Sequence, residues 1–240
     1  MAGRPAHKAA TQVDIGAAIV VSSNSDVPDY ASRGGHKLAG ALAALPGLGV
    51  RGRRCLDAGA STGGFCDVLL RSGAAHVVAV DVGYGQLAWA LRTDDRVTVL
   101  DRTNVRDLDP VQVGAPADLV VADLSFISLT LVLGALIRCA TPEADYVLLV
   151  KPQFEVGRER LGSGGVVRDP GLRAEAVRAV AAHGGSLGLG VCGVTASPLP
   201  GPAGNVEFFL WMRRGAPGLD DACLDRAVAD GPRGGSTTDE

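Results

Sequence analysis

Apolar residues in this chain fall into short continuous runs, and the runs alternate with stretches in which they recur at helical spacing. From residue 54 onward strands are expected at 55–58, 77–80, 97–100, 119–122 and 146–150, with helices at 65–72, 84–92 and about 128–139 between them. Asp169-Pro170 supplies an N-cap and a proline at the first helical position for a helix running through residue 182. Two further runs, 191–196 and 206–212, are joined by Ser197-Pro-Leu-Pro-Gly-Pro-Ala-Gly204 and read as a closing hairpin. Ahead of the first strand, apolar spacing over residues 37–45 stops at Pro46-Gly47, which predicts a short helix opened by Lys37.

Strands that are apolar throughout belong in a parallel sheet covered on both faces, and the hairpin brings the last strand in antiparallel. The expected fold is therefore α/β and Rossmann-like, with a mostly parallel seven-stranded sheet. The main domain spans 31–214. Residues 1–22 read as a fragment with a short hairpin, and 23–30 (Ser-Ser-Asn-Ser-Asp-Val-Pro-Asp) as a linker. Residues 215–240 read as a C-terminal tail that is largely disordered apart from a short helix at 219–229.

Composition narrows the class. A chain of 240 residues, 47% apolar with 33 glycines, is large enough to bury a substantial core. A net charge of −3 gives no global attraction to nucleic acid, so any such contact must come from a local patch. Cys55, Cys66, Cys139, Cys192 and Cys223 lack paired metal-ligand spacing, so no metal is expected and the thiols read as reduced. The N-terminus lacks the apolar core of a secretory signal, and no apolar run reaches membrane-spanning length. These features predict a cytoplasmic protein with no membrane partner.

The chain holds three lysines against twenty arginines, which makes each retained lysine informative. A lysine offers a compact ammonium whose proton affinity can be tuned, and a guanidinium does not. Lys37 lies in Ser-Arg-Gly-Gly-His-Lys, and Lys151 follows the run 146–150 and opens Lys-Pro-Gln-Phe-Glu. Asp123 follows the run 119–122. Asp123 and Lys151 thus stand at the carboxyl ends of parallel strands, where open α/β sheets place their sites. Glu207 sits in the apolar segment Asn205-Val-Glu-Phe-Phe, where a carboxylate is costly unless paired, and Lys37 or Lys151 is the economical partner.

Asp57-Ala-Gly-Ala-Ser-Thr-Gly-Gly64 links the first strand to a helix opening at Phe65. Its glycines permit a sharp turn and close approach to a ligand, which makes Gly59, Ser61, Thr62, Gly63, Gly64 and Phe65 cofactor-binding candidates. Asp57 could take the ammonium of a methionine moiety, directly or through water. That, and the absence of strict Gly-x-Gly-x-x-Gly spacing, favours S-adenosylmethionine (SAM) over a dinucleotide, although the loop alone accommodates either. Asp81, ending the second strand, suits a ribose diol in both cases. Asn104, with Asp101 and Asp107, suits either an adenine edge or an ordinary turn.

Taken together, seven stretches resemble the TlyA group of ribosomal RNA 2′-O-methyltransferases, which shares the FtsJ-type fold and was historically also labelled as hemolysins. They are Ser32-Arg-Gly-Gly-His-Lys37, Leu56-Asp-Ala-Gly-Ala-Ser-Thr-Gly-Gly-Phe65, Asp81-Val-Gly-Tyr-Gly-Gln-Leu87, Ala122-Asp-Leu-Ser-Phe-Ile127, Val150-Lys-Pro-Gln-Phe-Glu155, Gly164-Gly-Val-Val-Arg-Asp169 and Ser197 to Glu207. The resemblance covers residues 31 to 213. It implies the SAM methyltransferase fold and places the group's Lys-Asp-Lys-Glu set on Lys37, Asp123, Lys151 and Glu207. It further implies methylation of cytidine ribose in 16S or 23S rRNA, with ribosomal RNA or subunits as partners and an effect on capreomycin and viomycin sensitivity. Members of the group begin with an RNA-binding domain, of which residues 2–21 resemble only the end.

On this reading Lys151 activates or stabilises the 2′-oxygen, with its proton affinity lowered by Lys37 and the donor's sulfonium, while Asp123 and Glu207 orient the two lysines. Arg33, His36, Arg158, Arg160 and Arg168 are candidate phosphate contacts. Two rival readings are a non-catalytic RNA-binding or assembly factor and a membrane-active hemolysin. The second needs an amphipathic or spanning segment that this sequence does not offer.

Overall fold

The computed structural model describes residues 29–232. The expected fragment at 1–22, most of the linker and the last eight residues lie outside that range. Helix α1 (Gly34–Ala44) precedes a regular alternation: β1 (Arg54–Ala58), α2 (Gly64–Arg71), β2 (His76–Val80), α3 (Trp89–Arg92), β3 (Val97–Leu100), α4 (Pro110–Val113) and β4 (Ala117–Ala122). It continues through α5 (Leu133–Arg138), β5 (Ala140–Val150), α6 (Pro152–Glu155), α7 (Pro170–Ser186), β6 (Leu189–Ala196), β7 (Phe208–Arg214) and α8 (Asp221–Asp230).

The seven strands form one sheet in the order β3-β2-β1-β4-β5-β7-β6. Strands β1 to β5 pair in parallel, and β7 inserts antiparallel between β5 and β6. This is the expected mostly parallel sheet with an antiparallel last strand.

Side-chain alternation along the strands sorts the core into two layers. Leu56, Val78, Val120, Leu148 and Leu210 face α5, α7 and α8. Cys55, Val77, Leu119, Val147 and Phe209 face α1 and α2. Residues 144–150 are all buried because β5 lies inside the sheet with helices over both faces. Asp145 pairs with Arg53 and Arg213 and accepts from the Trp211 indole at 2.7 Å, which satisfies a carboxylate that is wholly inaccessible to water.

Two expected helices are shorter than their apolar spacing suggested. Of residues 84–92 only the last four are helical. The Asp81 carboxylate accepts the Gly83 N–H, and Gly85 takes φ +67°, which holds 81–85 as a turn. The run near 128–139 splits into a 3₁₀ turn at Leu129–Leu131 and α5. There Ser128 caps the Thr130 N–H, and the Glu155 carboxylate accepts the Leu129 N–H at 2.9 Å. Strand β5 is longer than expected because its first residues continue to pair with β4 past a register shift.

In the described part of the tail the short helix expected at 219–229 is present as α8, and it is part of the packed fold rather than an isolated turn in a loose tail. The α8 helix caps on Asp220, buries Leu224 and Ala227 and packs against β6 and α7. Its apolar positions recur at helical spacing, and they cover the sheet face beside α7. Leu224→Ala should therefore destabilise the fold by about 2–4 kcal/mol, the usual range for emptying a buried leucine site. A chemical-denaturation midpoint within error of the parent would show that α8 does not belong to the folded unit.

Candidate active site

The functional side chains gather where parallel strands end. Loops leaving β1, β2, β3, β4 and β5 share that edge. Because β7 runs the opposite way, its beginning lies there too. The register pairs Val150 with Phe208, which sets Lys151 and Glu207 side by side just beyond the sheet.

Glycines bring the pieces close. Both α1 and α2 begin at the same point, and a Cβ on Gly64 would lie 2.3 Å from Ser32 Oγ and 2.7 Å from the Gly35 nitrogen. A Cβ on Gly59 would lie 2.5 Å from the Asp123 carbonyl oxygen. Gly63, at φ +100°, caps α2 and leaves room for Leu91 and Leu87. The Gly-rich loop is thus pinned between α1, α3 and the Asp123 loop, with its glycines set first by chain packing. The Asp81 carboxylate fastens the loop by accepting the Ser61 N–H at 2.8 Å.

Two adjoining cavities open at this edge. One, of about 320 Å³, is lined by Lys37, Gly59, Ser61, Thr62, Gly64, Phe65, Asp123 and Lys151, together with Ser32, Arg33, Ser125 and Pro202. The other, of about 530 Å³, is bounded by Asp81, Val82, Asn104, Val105, Phe126, Ile127 and Val132. They share Gly59, Ser61, Asp123 and Ser125. The second has apolar walls with Asp81 and Asn104 as polar groups, a setting suited to a nucleoside.

At the first cavity and just behind it the four expected reacting residues form two lysine–carboxylate pairs. Lys151 Nζ lies 2.6 Å from Asp123 Oδ1 and donates to Ser125 Oγ at 2.9 Å. The contact with Asp123 is ionic rather than an aligned hydrogen bond, since Oδ1 has no hydrogen-bond partner. Lys37 Nζ donates to Glu207 Oε2 at 2.6 Å, and this pair is almost wholly buried, with side-chain exposures of 6% and 1%. Glu207 lines neither cavity. It lies behind Lys37 and also accepts from Gln153 Nε2 at 3.2 Å.

Asp57 departs from direct ligand contact. It lines neither cavity and is completely buried, and neither carboxylate oxygen has a hydrogen-bond partner. Alternation turns it toward the start of α2, behind the cavity wall formed by Gly64 and Phe65. Burial, reinforced by the nearby Asp123 charge, pushes its pKa up to about 8, opposed only weakly by the Cys66 N–H at the start of α2. Phe65 is 3% exposed and packs on Phe209 with a ring-centroid distance of 6.0 Å, so it serves the core as well as the cavity wall.

The candidate phosphate contacts do not form one cluster. Arg33 caps α1 at the cleft rim, with Nη2 donating to the Pro200 carbonyl at 2.7 Å. His36 packs edge-on against Tyr30 and lines neither cavity. Arg160 is held by Glu175 and by the Val156 carbonyl. Arg158 and Arg168 are exposed, and among the described residues neither has an ion-pair partner.

Several site residues carried no readable signal in the sequence, among them Ser125, Gln153 and Ser32. Phe126 is 91% exposed, takes φ +65° and packs at a 51° tilt against Phe154 with a centroid distance of 5.2 Å. An aromatic in so exposed and strained a place is a ligand-facing feature. The described cysteines are all free, and burial raises the Cys55 thiol to about 12. No helix among the described residues is long and apolar enough to cross a membrane.

With this geometry the chain was compared with known proteins. The profile of the FtsJ-like methyltransferase family matches residues 30–214. The 16S/23S rRNA (cytidine-2′-O)-methyltransferase TlyA of Mycobacterium tuberculosis is 59% identical over 236 residues, which cover 96% of this chain and 87% of that protein. The putative rRNA methyltransferase YqxC of Bacillus subtilis is 44% identical over 196 residues, 80% of this chain and 69% of the relative. Among solved structures, a putative hemolysin from Streptococcus thermophilus superposes with a TM-score of 0.81 at 41% identity, covering 85% of this chain and 74% of that one. A methyltransferase-type sheet with its cofactor loop, its paired lysines and these relatives leads to one assignment: the chain belongs to the FtsJ-like methyltransferase family, in its TlyA group.

Proposed function

We propose that this enzyme methylates the 2′-hydroxyl of a cytidine in 16S rRNA, 23S rRNA or both, and that the modification influences sensitivity to capreomycin and viomycin. The observation that carries the reading is the pair of lysine–carboxylate contacts: Lys151–Asp123 in the wall of the first cavity, with Asp123 shared with the second, and Lys37–Glu207, with Lys37 in the same wall and Glu207 behind it. The 59% identical relative supports the substrate.

Bound in the larger cavity, SAM supplies an electrophilic methyl group. The residues present fit it. The Asp81 carboxylate faces the cavity where a ribose diol would lie, and Asn104 with the apolar walls suits an adenine. The unpartnered Asp57 carboxylate suits the ammonium of the methionine moiety, reached through water.

A ribose hydroxyl is a weak nucleophile at neutral pH and must be oriented. As the new O–C bond forms and the methyl–sulfur bond breaks, its proton would pass to the Asp123 carboxylate, whose Oδ1 has no hydrogen-bond partner, and on to solvent. Lys151 is the activating group. Ser125 and Asp123 fix its Nζ, and its remaining donor capacity points the hydroxyl oxygen and offsets the negative charge that grows on it. Glu207 holds Lys37 as a second cation beside the reacting oxygen. The exposed face of Phe126, backed by Phe154, offers a stacking surface for a nucleobase. Arg33, Arg158 and Arg168 are the phosphate contacts of this reading.

The direct test is transfer of tritiated methyl from SAM to naked rRNA and to assembled subunits, followed by mapping of the labelled sugar. Label on a cytidine 2′-oxygen is expected, and label confined to bases or to protein would overturn the reading.

Lys151→Ala should lower the transfer rate by about a hundred- to ten-thousandfold with SAM affinity unchanged within a few-fold. Lys151→Arg should be nearly as damaging, because a planar guanidinium cannot occupy the ammonium's place between Ser125 and Asp123. Near-parental turnover in either variant would remove Lys151 from its role.

Glu207→Ala leaves Lys37 buried without its counter-charge, and a broken buried pair of this kind costs about 3–5 kcal/mol. Replacing both partners together, Lys37→Met with Glu207→Leu, should recover most of that stability, yet methyl transfer should stay lost. Restored turnover in the double variant would show the pair to be structural only.

Asp57 gives a pH-dependent prediction. Its pKa in the fold, about 8, lies above the ordinary 3.8, so the folded state holds the proton through a range where the unfolded chain has lost it. Its contribution to stability is complete below the ordinary value and declines as pH rises toward 8. Asp57→Asn should flatten that decline in thermal melts of the SAM-free protein and weaken SAM binding in calorimetry. An unchanged SAM affinity would take the ammonium away from Asp57.

A further inference from the structure

A buried amide outside the reacting set joins the RNA-facing surface to the catalytic wall. Asn205 is 2% exposed and uses both ends of its side chain. Oδ1 accepts the Val167 N–H at 2.8 Å, and Nδ2 donates to the Gly165 carbonyl at 3.0 Å. These two bonds fasten a segment with little other regular structure. Residues 157–168 contain two 3₁₀ turns, and Gly164 and Gly165 take φ +72° and +71°. Within it Val167 alone is fully buried, as the anchor on which Arg168 follows.

The other side of Asn205 leads to the reacting groups. Its carbonyl accepts the Gly201 N–H at 2.8 Å, closing the turn whose Pro202 lines the first cavity. A Cβ on Gly201 would lie 2.5 Å from Glu207 Oε1, so this turn is seated against the carboxylate that holds Lys37. One side chain thus connects the arm bearing Arg158 and Arg168 to the wall of the cleft. Neither Arg158 nor Arg168 is paired with a carboxylate among the described residues, and Arg168 makes only a 3.3 Å bond from Nη1 to the Ser163 carbonyl, whereas Arg160 in the same arm is committed to Glu175. An apolar or charged residue in this place could not supply an acceptor for one backbone group and a donor for another two residues away.

We propose that Asn205 is a positioning residue that sets the 157–168 arm against the cleft, and so governs capture of the RNA backbone rather than the methyl-transfer step. The inference rests on the reading of the substrate as RNA. Without the amide, Val167 loses its backbone partner, the arm detaches from the Gly201–Asn205 turn, and its cations no longer meet phosphates in a fixed register. Phosphate contacts position a nucleic acid without reading its sequence, so the loss falls on affinity.

The experiment measures KM for rRNA, kcat and SAM affinity in Asn205→Ala and in Asn205→Asp. The aspartate is isosteric and keeps the Val167 acceptor while setting an oxygen against the Gly165 carbonyl, so a thermal melt of each variant accompanies the kinetics and separates a detached arm from unfolding. The expected result is a KM for RNA raised about tenfold in both, the size of one net hydrogen bond, with kcat within about twofold and SAM affinity unchanged. In an Arg158→Ala/Arg168→Ala background, where KM is already high, Asn205→Ala should add almost nothing, because residues that act through one another are not additive. A fall in kcat at constant KM, a loss of SAM binding, or full additivity with the arginine variants would each overturn the proposal. A parent enzyme that labels no RNA strikes instead at the substrate reading, so the two failures are distinguishable.

Discussion

The buried contact between Lys37 and Glu207 is the constraint around which this site is organised. Two opposite charges withdrawn from water are tolerable only while they face each other at hydrogen-bond distance, and here the separation is 2.6 Å. The partners are 170 residues apart and stand on α1, ahead of the sheet, and at the entry to β7, its last strand. Satisfying this pair therefore fixes the first helix against the final strand, and everything between them has to close correctly. Gln153, on the helix that follows Lys151, also donates to Glu207, so the second lysine is referred to the same carboxylate.

Close backbone approach does the corresponding work on the cofactor side. Gly64 lets two helix starts meet, and Gly59 lets the Gly-rich loop rest on the carbonyl of Asp123. The residue that holds Lys151 is thereby in register with the loop beside which the methyl donor belongs. Asp57 stands apart from this order as a carboxylate buried with no partner. Folding keeps it at a cost in stability, because burial disfavours its charged form.

Much of this was legible in the amino-acid sequence because buried parallel strands leave uninterrupted apolar runs. The strand ends then located Asp123 and Lys151, and the expense of a carboxylate within Val206-Glu207-Phe208 located Glu207. What stayed hidden depends on contacts between distant segments. Helical spacing over 84–92 gave way to a turn because Asp81 captures local N–H groups. Ser125, Gln153 and Asn205 are ordinary polar residues until the sheet brings their partners within reach. Arg160 looked equivalent to Arg158 and Arg168, and only the placement of α7 commits it to Glu175. The tail's short helix was readable at 219–229, but its packing was not, because the few apolar positions of α8 are meaningful only beside β6 and α7.

The antiparallel seating of β7 also sets a timetable for the molecule. As a chain is synthesised from its amino end, the cofactor loop, Asp123 and Lys151 all emerge before the strand that completes the sheet. Until then Lys37 has no counter-ion, and β5 and β6 lack the strand that separates them. A nascent chain can build its nucleoside cavity early and still hold an unfinished reaction centre. The pairing of Lys37 with Glu207 thus arrives only with the last strand, which makes that contact a mark of completed folding.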